Sequence, residues 1–323
     1  GSVTRPMLDK HTRVGVLGAG AMGAGIAQVA ATAGHSVIVA DSHAPSIERA
    51  QKTIKQSLAR EVDKGRQSAA AAREIESRLG FLTNTGDDVM AFRTCGLVIE
   101  AIIEDLGAKQ GSFAALEAVV GEACVLATNT SSLSVGAIAS GRARPARMIG
   151  LHFFNPATVM PLVEVVGALA SDPSVVAQAR ALVDSWGKVT VLAADTPGFI
   201  VNRVARPFYG EALRLLEEGI ADVATIDWAL KDLAGFKMGP FELMDLIGND
   251  VNYAVTKSVF EALYFDSRYR PSVIQRRMVD AGRLGRKSGM GYYDYRNGAV
   301  PPKPTEDRVL GARIVDRVVA MLI

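Results

Sequence analysis

The first 190 or so residues alternate short β-branched runs with longer amphipathic stretches. Arg13 to Leu17 predicts a strand, and Ala21 to Ala33 follows as an alanine-rich helix. Ser36 to Ala40 predicts a second strand. Leu97 to Ala101 and Val125 to Thr128 are short apolar runs of the kind buried on both faces of a parallel sheet. Alternation of this kind predicts an α/β fold: a doubly wound, Rossmann-type sheet.

Ser46 to Leu79 breaks the rhythm. It is long, charged and helix-forming, with Glu61, Lys64, Arg66 and the run Ala69 to Ala72. Gly65 divides it into a helical hairpin inserted between strands, either a solvated face or a substrate-side arm over about 46–79. Near Asp195-Thr196-Pro197-Gly198 the texture changes again. Strand signals stop after Val191-Leu192, and helical spacing takes over at Val204, Phe208, Ala212, Leu215 and Leu216, then Val223, Ile226 and Leu230. Val251 to Leu263 predicts a further helix, and Pro301-Pro302-Lys303-Pro304 an extended segment before a last one. Residues 1–194 therefore read as one domain and 195–323 as a second, all-helical one. Its wide apolar faces suit a tight bundle or a dimer interface.

A chain of 323 residues is long enough for two domains, and 49% hydrophobic residues suits a well-buried globular protein. The formal charge of +2 demands neither nucleic acid nor a charged membrane as partner. No apolar run reaches membrane-spanning length, and no secretory leader is visible. Gly1-Ser2 reads as a remnant of tag cleavage. The two cysteines, Cys95 and Cys124, lie in apolar runs and read as buried thiols of a cytoplasmic protein. With four scattered histidines they make a poor zinc set, and no metal is expected.

Gly18-Ala19-Gly20-Ala21-Met22-Gly23 carries the G-x-G-x-x-G spacing between a strand and a helix. The first glycine permits the tight turn, the second lets backbone approach a pyrophosphate, and the third lets the helix pack on the sheet. The anion would lie at the helix N-terminus. Asp41 ends the second strand, 18 positions past Gly23, where a carboxylate accepts bonds from ribose hydroxyls and repels a 2′-phosphate. NAD is thus favoured over NADP, while flavin uses the same fingerprint.

His152 ends the apolar run Ile149-Gly150-Leu151, before an Asn-Pro turn. Twelve residues on, Glu164 interrupts Leu162-Val163-Glu164-Val165-Val166. A buried carboxylate needs a partner. Side by side, the two runs would bring Glu164 to His152, fixing the imidazole's tautomer. Such a base suits removal of a hydroxyl proton while hydride leaves the same carbon. His11, His35 and His43 lack such a partner and read as structural or surface residues. The cluster Thr128-Asn129-Thr130-Ser131-Ser132 follows a strand and either lines a ligand crevice or caps a helix. Asn202 falls one helical turn into the second domain, and spacing leaves open whether it faces a cleft or solvent.

Together, these segments resemble the 3-hydroxyacyl-CoA dehydrogenases over nearly the whole chain. The resemblance rests on the glycine loop, Asn129-Thr130-Ser131-Ser132, His152-Phe153-Phe154-Asn155-Pro156, Glu164-Val165-Val166 and Thr196 to Arg203. It continues in Met238-Gly239-Pro240-Phe241-Glu242-Leu243 and Leu284-Gly285-Arg286-Lys287-Ser288-Gly289. It implies NAD rather than flavin, and reversible oxidation of an (S)-3-hydroxyacyl-CoA to the 3-oxoacyl-CoA. His152 would be the base and Glu164 its partner, with Ser131 and Asn202 bonding the substrate. Glu104, Lys109 and Asn155 would contact the cofactor, as would Ser131, and Ser57 and Lys64 would touch CoA on the arm, which here also carries Glu61 and Asp63. A homodimer through the helical domain and a cleft that closes on substrate are also implied. Phe241 to Asn252 is most similar to the bacterial 3-hydroxybutyryl-CoA and 3-hydroxyadipyl-CoA branch. A free 3-hydroxy acid substrate, as in related carnitine and gulonate dehydrogenases, and a non-enzymatic nucleotide-binding protein are the competing readings.

Overall fold

The computed structural model describes residues 8–83 and 88–323, so Gly1-Ser2 lie outside it. The chain divides into two compact units, Gly1–Phe199 and Ile200–Ile323.

Unit 1 is built on an eight-stranded sheet. Its elements are β1 (Val14–Leu17), α1 (Ala21–Thr32), β2 (Val37–Asp41), α2 (Ala44–Asp63), α3 (Ala69–Ser77), β3 (Leu79–Thr83), β4 (Leu97–Glu100) and α4 (Leu106–Val119). β5 (Val125–Thr128), α5 (Val135–Ile138), β6 (Met148–Phe153), β7 (Leu162–Gly167), α6 (Pro173–Ser185) and β8 (Val189–Ala194) complete it. The strand order is β3-β2-β1-β4-β5-β6-β7-β8, parallel throughout except between β6 and β7. Side chains alternate across the pleat. Val37 and Val39 pack with Ile26, Ile47, Ile54 and Val175 on one face, whereas Ile38 and Ala40 pack with Phe113, Leu116 and Ile138 on the other. Both faces are therefore covered, which is why these strands read as continuous apolar runs. The order reverses between β1 and β4, and open sheets of this kind bind ligands at that crevice.

The arm differs from expectation at its ends. It comprises α2 and α3, hinged at Gly65 with φ +70°, and it stops short of Leu79. Leu79 instead opens the edge strand β3, in parallel register with Val37 of β2. That strand is short and half-exposed, so its apolar pattern is weak. The arm is also docked rather than merely solvated: Ile47, Ala50, Ile54 and Leu58 line the buried face of α2.

Unit 2 is helical: α7 (Val201–Glu217), α8 (Val223–Trp228), α9 (Pro240–Ile247), α10 (Asn249–Ala262), α11 (Val273–Asp280) and α12 (Arg308–Ala320). Residues 299–307 form no helix or strand, in line with the proline pattern. The buried Asp245 carboxylate accepts from the Asn249 amide, the Tyr292 and Tyr293 N–H groups and the Tyr295 hydroxyl. Gly291 makes room for it, since a Cβ there would lie 2.1 Å from Asp245 Oδ1. The break between units follows Phe199 rather than residue 194. Asp195 belongs to unit 1, where its carboxylate accepts from Val135 N–H, Gly136 N–H and the Ser134 hydroxyl at the start of α5.

Cys95 and Cys124 are unpaired and buried, and burial pushes their thiols up to about 11 and about 12. Among the described residues, no helix is long and apolar enough to cross a membrane.

His35 is a satisfied core histidine. Its Nδ1 donates to Thr12 O (2.8 Å), and Nε2 accepts from Trp186 Nε1–H (2.8 Å), a pattern that fits the neutral ring. Burial holds its pKa below 6.5, outweighing the bond to Thr12. The unfolded chain takes up the extra proton below about pH 6.5, so folded stability falls as pH drops through that window. His35→Gln removes this titration. Urea unfolding at about pH 7.5 and about pH 5.5 should show wild type losing more stability between the two than the variant. Equal losses would contradict the assignment.

Candidate active site

At the switch point each glycine of the loop has a separate steric reason. Gly18 has φ +109°, and a Cβ on it would lie 2.4 Å from Ala101 O. A Cβ on Gly23 would lie 1.9 Å from Gly18 O, so α1 packs directly on the turn. Gly20 has open space where its Cβ would be and borders a cleft of about 730 Å³ shared with Asp41, His43, Ile102 and Ile103. Gly20 is also the N-cap of α1, and no side chain caps it. The first-turn amides, Ala21 and Met22 among them, are thus the groups a pyrophosphate would meet. The Met22 side chain packs on the core, so its contribution is backbone. Asp41 stands at the rim, with Oδ2 accepting Ala19 N–H (2.7 Å) and Oδ1 accepting His43 N–H (2.7 Å). Each oxygen keeps a lone pair for a hydroxyl. Open glycine, helix terminus and oriented carboxylate fit a dinucleotide.

Beyond β4 lies a buried ionic network. Glu100, fully buried, accepts Ile102 N–H (2.8 Å), the Lys109 ammonium (2.5 Å) and the Thr128 hydroxyl (2.7 Å). Lys109 Nζ also lies 3.5 Å from Glu104. Glu104 in turn accepts the Thr130 hydroxyl (2.8 Å) and both the N–H (2.9 Å) and hydroxyl (3.0 Å) of Ser131. Burial by itself would raise the Glu104 pKa. The bonds from Ser131 and Thr130 and the Lys109 charge hold it below the ordinary carboxylate value. Two expectations change here. Lys109 is only 2% exposed and its ammonium is occupied by Glu100, so it reaches the loop at 130–132 only through Glu104. The helix cap is Ser134, whose hydroxyl accepts Ala137 N–H, whereas Ser131 and Ser132 turn to Glu104.

The β6–β7 hairpin sets His152 directly opposite Glu164 in register. The two side chains share a face, and Nδ1 lies 2.8 Å from Glu164 Oε1. A carboxylate only accepts, so Nδ1 carries the proton and donates it to Glu164. In the neutral ring that leaves Nε2 as the acceptor. The ring lies 4.5 Å from the Phe154 ring and 5.7 Å from that of Phe199. Phe199 is held at φ +46°, a conformation rare for a bulky residue, directly after Gly198 at φ +76°. Asn129 Oδ1 accepts Phe153 N–H (2.8 Å), anchoring the strand end beside His152. Lys188 donates to Ala157 O and Met160 O, pinning the hairpin turn. Asn155 is exposed where that turn begins.

A second cleft, of about 670 Å³, lies between the arm and the hairpin turn. Ser57, Arg60, Lys64 and Arg66 line one wall, and Pro156, Thr158, Trp186 and Lys188 the other. Its basic residues outnumber the acidic Glu61. Ser57 Oγ accepts from Gln28 Nε2 (2.9 Å), and Lys64 caps the end of α2. Asn202 lies in unit 2, half-buried in the first turn of α7.

Sequence reasoning missed Glu100 and Lys188, and gave Thr128, Asn129 and Phe199 no individual role. Glu100 had a legible signal, since it interrupts Leu97-Val98-Ile99 as Glu164 interrupts its own run. The partners of Phe199 and Lys188 lie too far along the chain to be read from it.

Comparison with known proteins agrees with this geometry. Residues 13–196 match the model for the NAD-binding domain of 3-hydroxyacyl-CoA dehydrogenase, and residues 198–295 match its C-terminal domain. The chain is 50% identical over 290 residues to 3-hydroxyadipyl-CoA dehydrogenase of Escherichia coli, which covers 90% of this chain and 60% of that protein. It is 40% identical over 289 residues to 3-hydroxybutyryl-CoA dehydrogenase of Bradyrhizobium diazoefficiens, covering 90% and 97%. A crystal structure of 3-hydroxybutyryl-CoA dehydrogenase from Escherichia coli superposes with a TM-score of 0.86 at 48% identity, over 93% of this chain and 63% of that one. The chain thus spans 60% and 63% of the two Escherichia coli chains and 97% of the Bradyrhizobium one. With both domain models matched in order along one chain, the protein belongs to the 3-hydroxyacyl-CoA dehydrogenase family.

Proposed function

We propose that the protein catalyses reversible NAD-dependent oxidation of an (S)-3-hydroxyacyl-CoA to the 3-oxoacyl-CoA. The observation that carries this reading is the buried His152–Glu164 pair. NAD bound at the glycine loop supplies the hydride acceptor. His152 Nε2 takes the hydroxyl proton, and the imidazolium that forms is stabilised by Glu164 at its other nitrogen. Ser131 and Asn202 are further substrate contacts in this reading, each to the reacting oxygen or to the thioester region. Asp41 would accept the adenosine ribose hydroxyls of bound NAD, while Glu104, Asn155 and Ser131 would be further cofactor contacts. Ser57 and Lys64 meet CoA in the basic cleft beside the arm, where Arg60 and Arg66 add charge suited to phosphate. Relatives named for 3-hydroxybutyryl-CoA and 3-hydroxyadipyl-CoA support a short or dicarboxylic acyl group. Unpaired thiols accord with a cytoplasmic setting.

His152→Gln should lower kcat by about 10²–10⁴-fold while NAD binding by calorimetry stays near wild type. Glu164→Gln should lower kcat by about 10²-fold and move the pH–rate profile, because the tautomer is no longer enforced. Near-normal NADH formation by the His152 variant would sink the reading. Activity confined to free 3-hydroxy acids would move the substrate class. Asp41→Ser should raise the Michaelis constant for NAD about tenfold and narrow the preference over NADP, with kcat at saturating NAD little changed. An unchanged preference would remove Asp41 from the cofactor site.

We further propose a homodimer through unit 2, which leaves Leu246, Ile247 and Val251 exposed on α9 and α10. Sedimentation should give twice the chain mass, and Leu246→Glu with Val251→Glu should halve it. A wild-type monomer at all concentrations would refute this.

A further inference from the structure

Glu100 ends β4 and is fully buried. Its Oε2 accepts Ile102 N–H (2.8 Å) and the Lys109 ammonium (2.5 Å), and its Oε1 accepts the Thr128 hydroxyl (2.7 Å). No step of the proposed reaction uses it.

Local folding does not account for the ion pair. Lys109 is the fourth residue of α4, buried near the positive end of the helix dipole, where a cation is unfavourable. A buried ion pair adds little to stability over a well-packed apolar pair of similar volume. Ile102 N–H and the Thr128 hydroxyl need only an acceptor, which a neutral amide would supply. What the carboxylate adds is the power to hold an ammonium in this place.

Two arms run from Glu100 to one loop. In the first, Lys109 Nζ lies 3.5 Å from Glu104 Oε1. Glu104 then takes the Thr130 hydroxyl and the N–H and hydroxyl of both Ser131 and Ser132, at 2.8–3.3 Å. Bonds to an ionised acceptor are roughly twice as strong as neutral ones, so the grip on these residues depends on charge. In the second arm, the Thr128 hydroxyl that donates to Glu100 also accepts Thr130 N–H (3.1 Å). Asn129 N–H bonds the Glu100 carbonyl (2.8 Å), which ties the start of the loop to the same residue.

We infer that Glu100 is a positioning residue for the loop at 130–132, acting on Ser131 through Lys109 and Glu104 and on Thr130 through Thr128. This rests on the acyl-CoA reading above, in which Ser131 contacts the substrate. The bond to Ile102 serves a separate end, because Ile102 lines the nucleotide cleft. Glu100→Gln keeps an acceptor for that bond and removes the charge.

The test uses acetoacetyl-CoA with NADH for turnover. ADP-ribose, which has the adenosine and pyrophosphate of NAD without the nicotinamide, reports the glycine-loop cleft by calorimetry. In Glu100→Gln, KM for acetoacetyl-CoA should rise about tenfold, while ADP-ribose binding stays within about threefold of wild type. Adding Lys109→Met removes both buried charges. The double variant should regain the wild-type melting temperature, yet KM should stay raised because Glu104 has lost its cation. Recovery of KM together with melting would mark a purely structural ion pair and overturn the inference. So would an unchanged KM in Glu100→Gln. Hydrogen exchange on wild type decides the matter if neither variant binds ADP-ribose. The Thr130 and Ser131 N–H groups should exchange at least roughly a hundredfold more slowly than in an unstructured peptide, and unprotected exchange overturns the inference. If wild type does not reduce acetoacetyl-CoA, the acyl-CoA reading itself fails and Glu100 loses its role with it. Wild-type turnover with an unchanged KM in the variant refutes Glu100 alone.

Discussion

A carboxylate with no access to water is tolerated only when something cationic or donating stands opposite it, and Glu164 meets that condition through His152. The two face each other because β6 and β7 form an antiparallel pair in a sheet that is otherwise parallel. Antiparallel register is strict: a slip by one residue would turn Glu164 to the opposite face. Several features outside the pair serve to hold that register. Asn129 takes up the N–H next to His152, Lys188 ties down the turn, and the Gly198–Phe199 bend brings an aromatic ring to the imidazole.

The same solution recurs at the neighbouring strand end. Glu100 terminates β4 as a second fully buried carboxylate, and Lys109 and Thr128 answer it. Lys109 passes its influence to Glu104, which organises residues 130–132. Two buried carboxylates thus stabilise two loops at the C-terminal edge of the sheet, the edge at which the open α/β architecture leaves its crevice. Polar networks of this kind are costly when partly satisfied, so the surrounding backbone is held to a narrow geometry.

Unit 2 applies the rule with one departure. Asp245 is fully answered by four donors, which ties the α9–α10 junction to the Tyr292–Tyr295 segment. Arg206, in the second turn of α7, is answered only by neutral acceptors.

The sequence by itself determined the layered sheet, the helical second half, the glycine loop and the His152–Glu164 pairing. Each rests on local periodicity or on a short fixed spacing. Gly18, Gly20 and Gly23 were legible because steric demands at a tight turn act over a few residues. The hairpin was legible because a carboxylate in an apolar run needs a partner nearby. Strand β3 was not, since a short, half-exposed edge strand carries little pattern. Tertiary structure alone decided that Lys109 is buried on Glu100, that Glu104 gathers Ser131, and that Asp195 accepts the first two N–H groups of α5. These contacts join residues up to 61 positions apart, as between Ser134 and Asp195, and nothing in the order of residues encodes which charges meet once the sheet has closed around them.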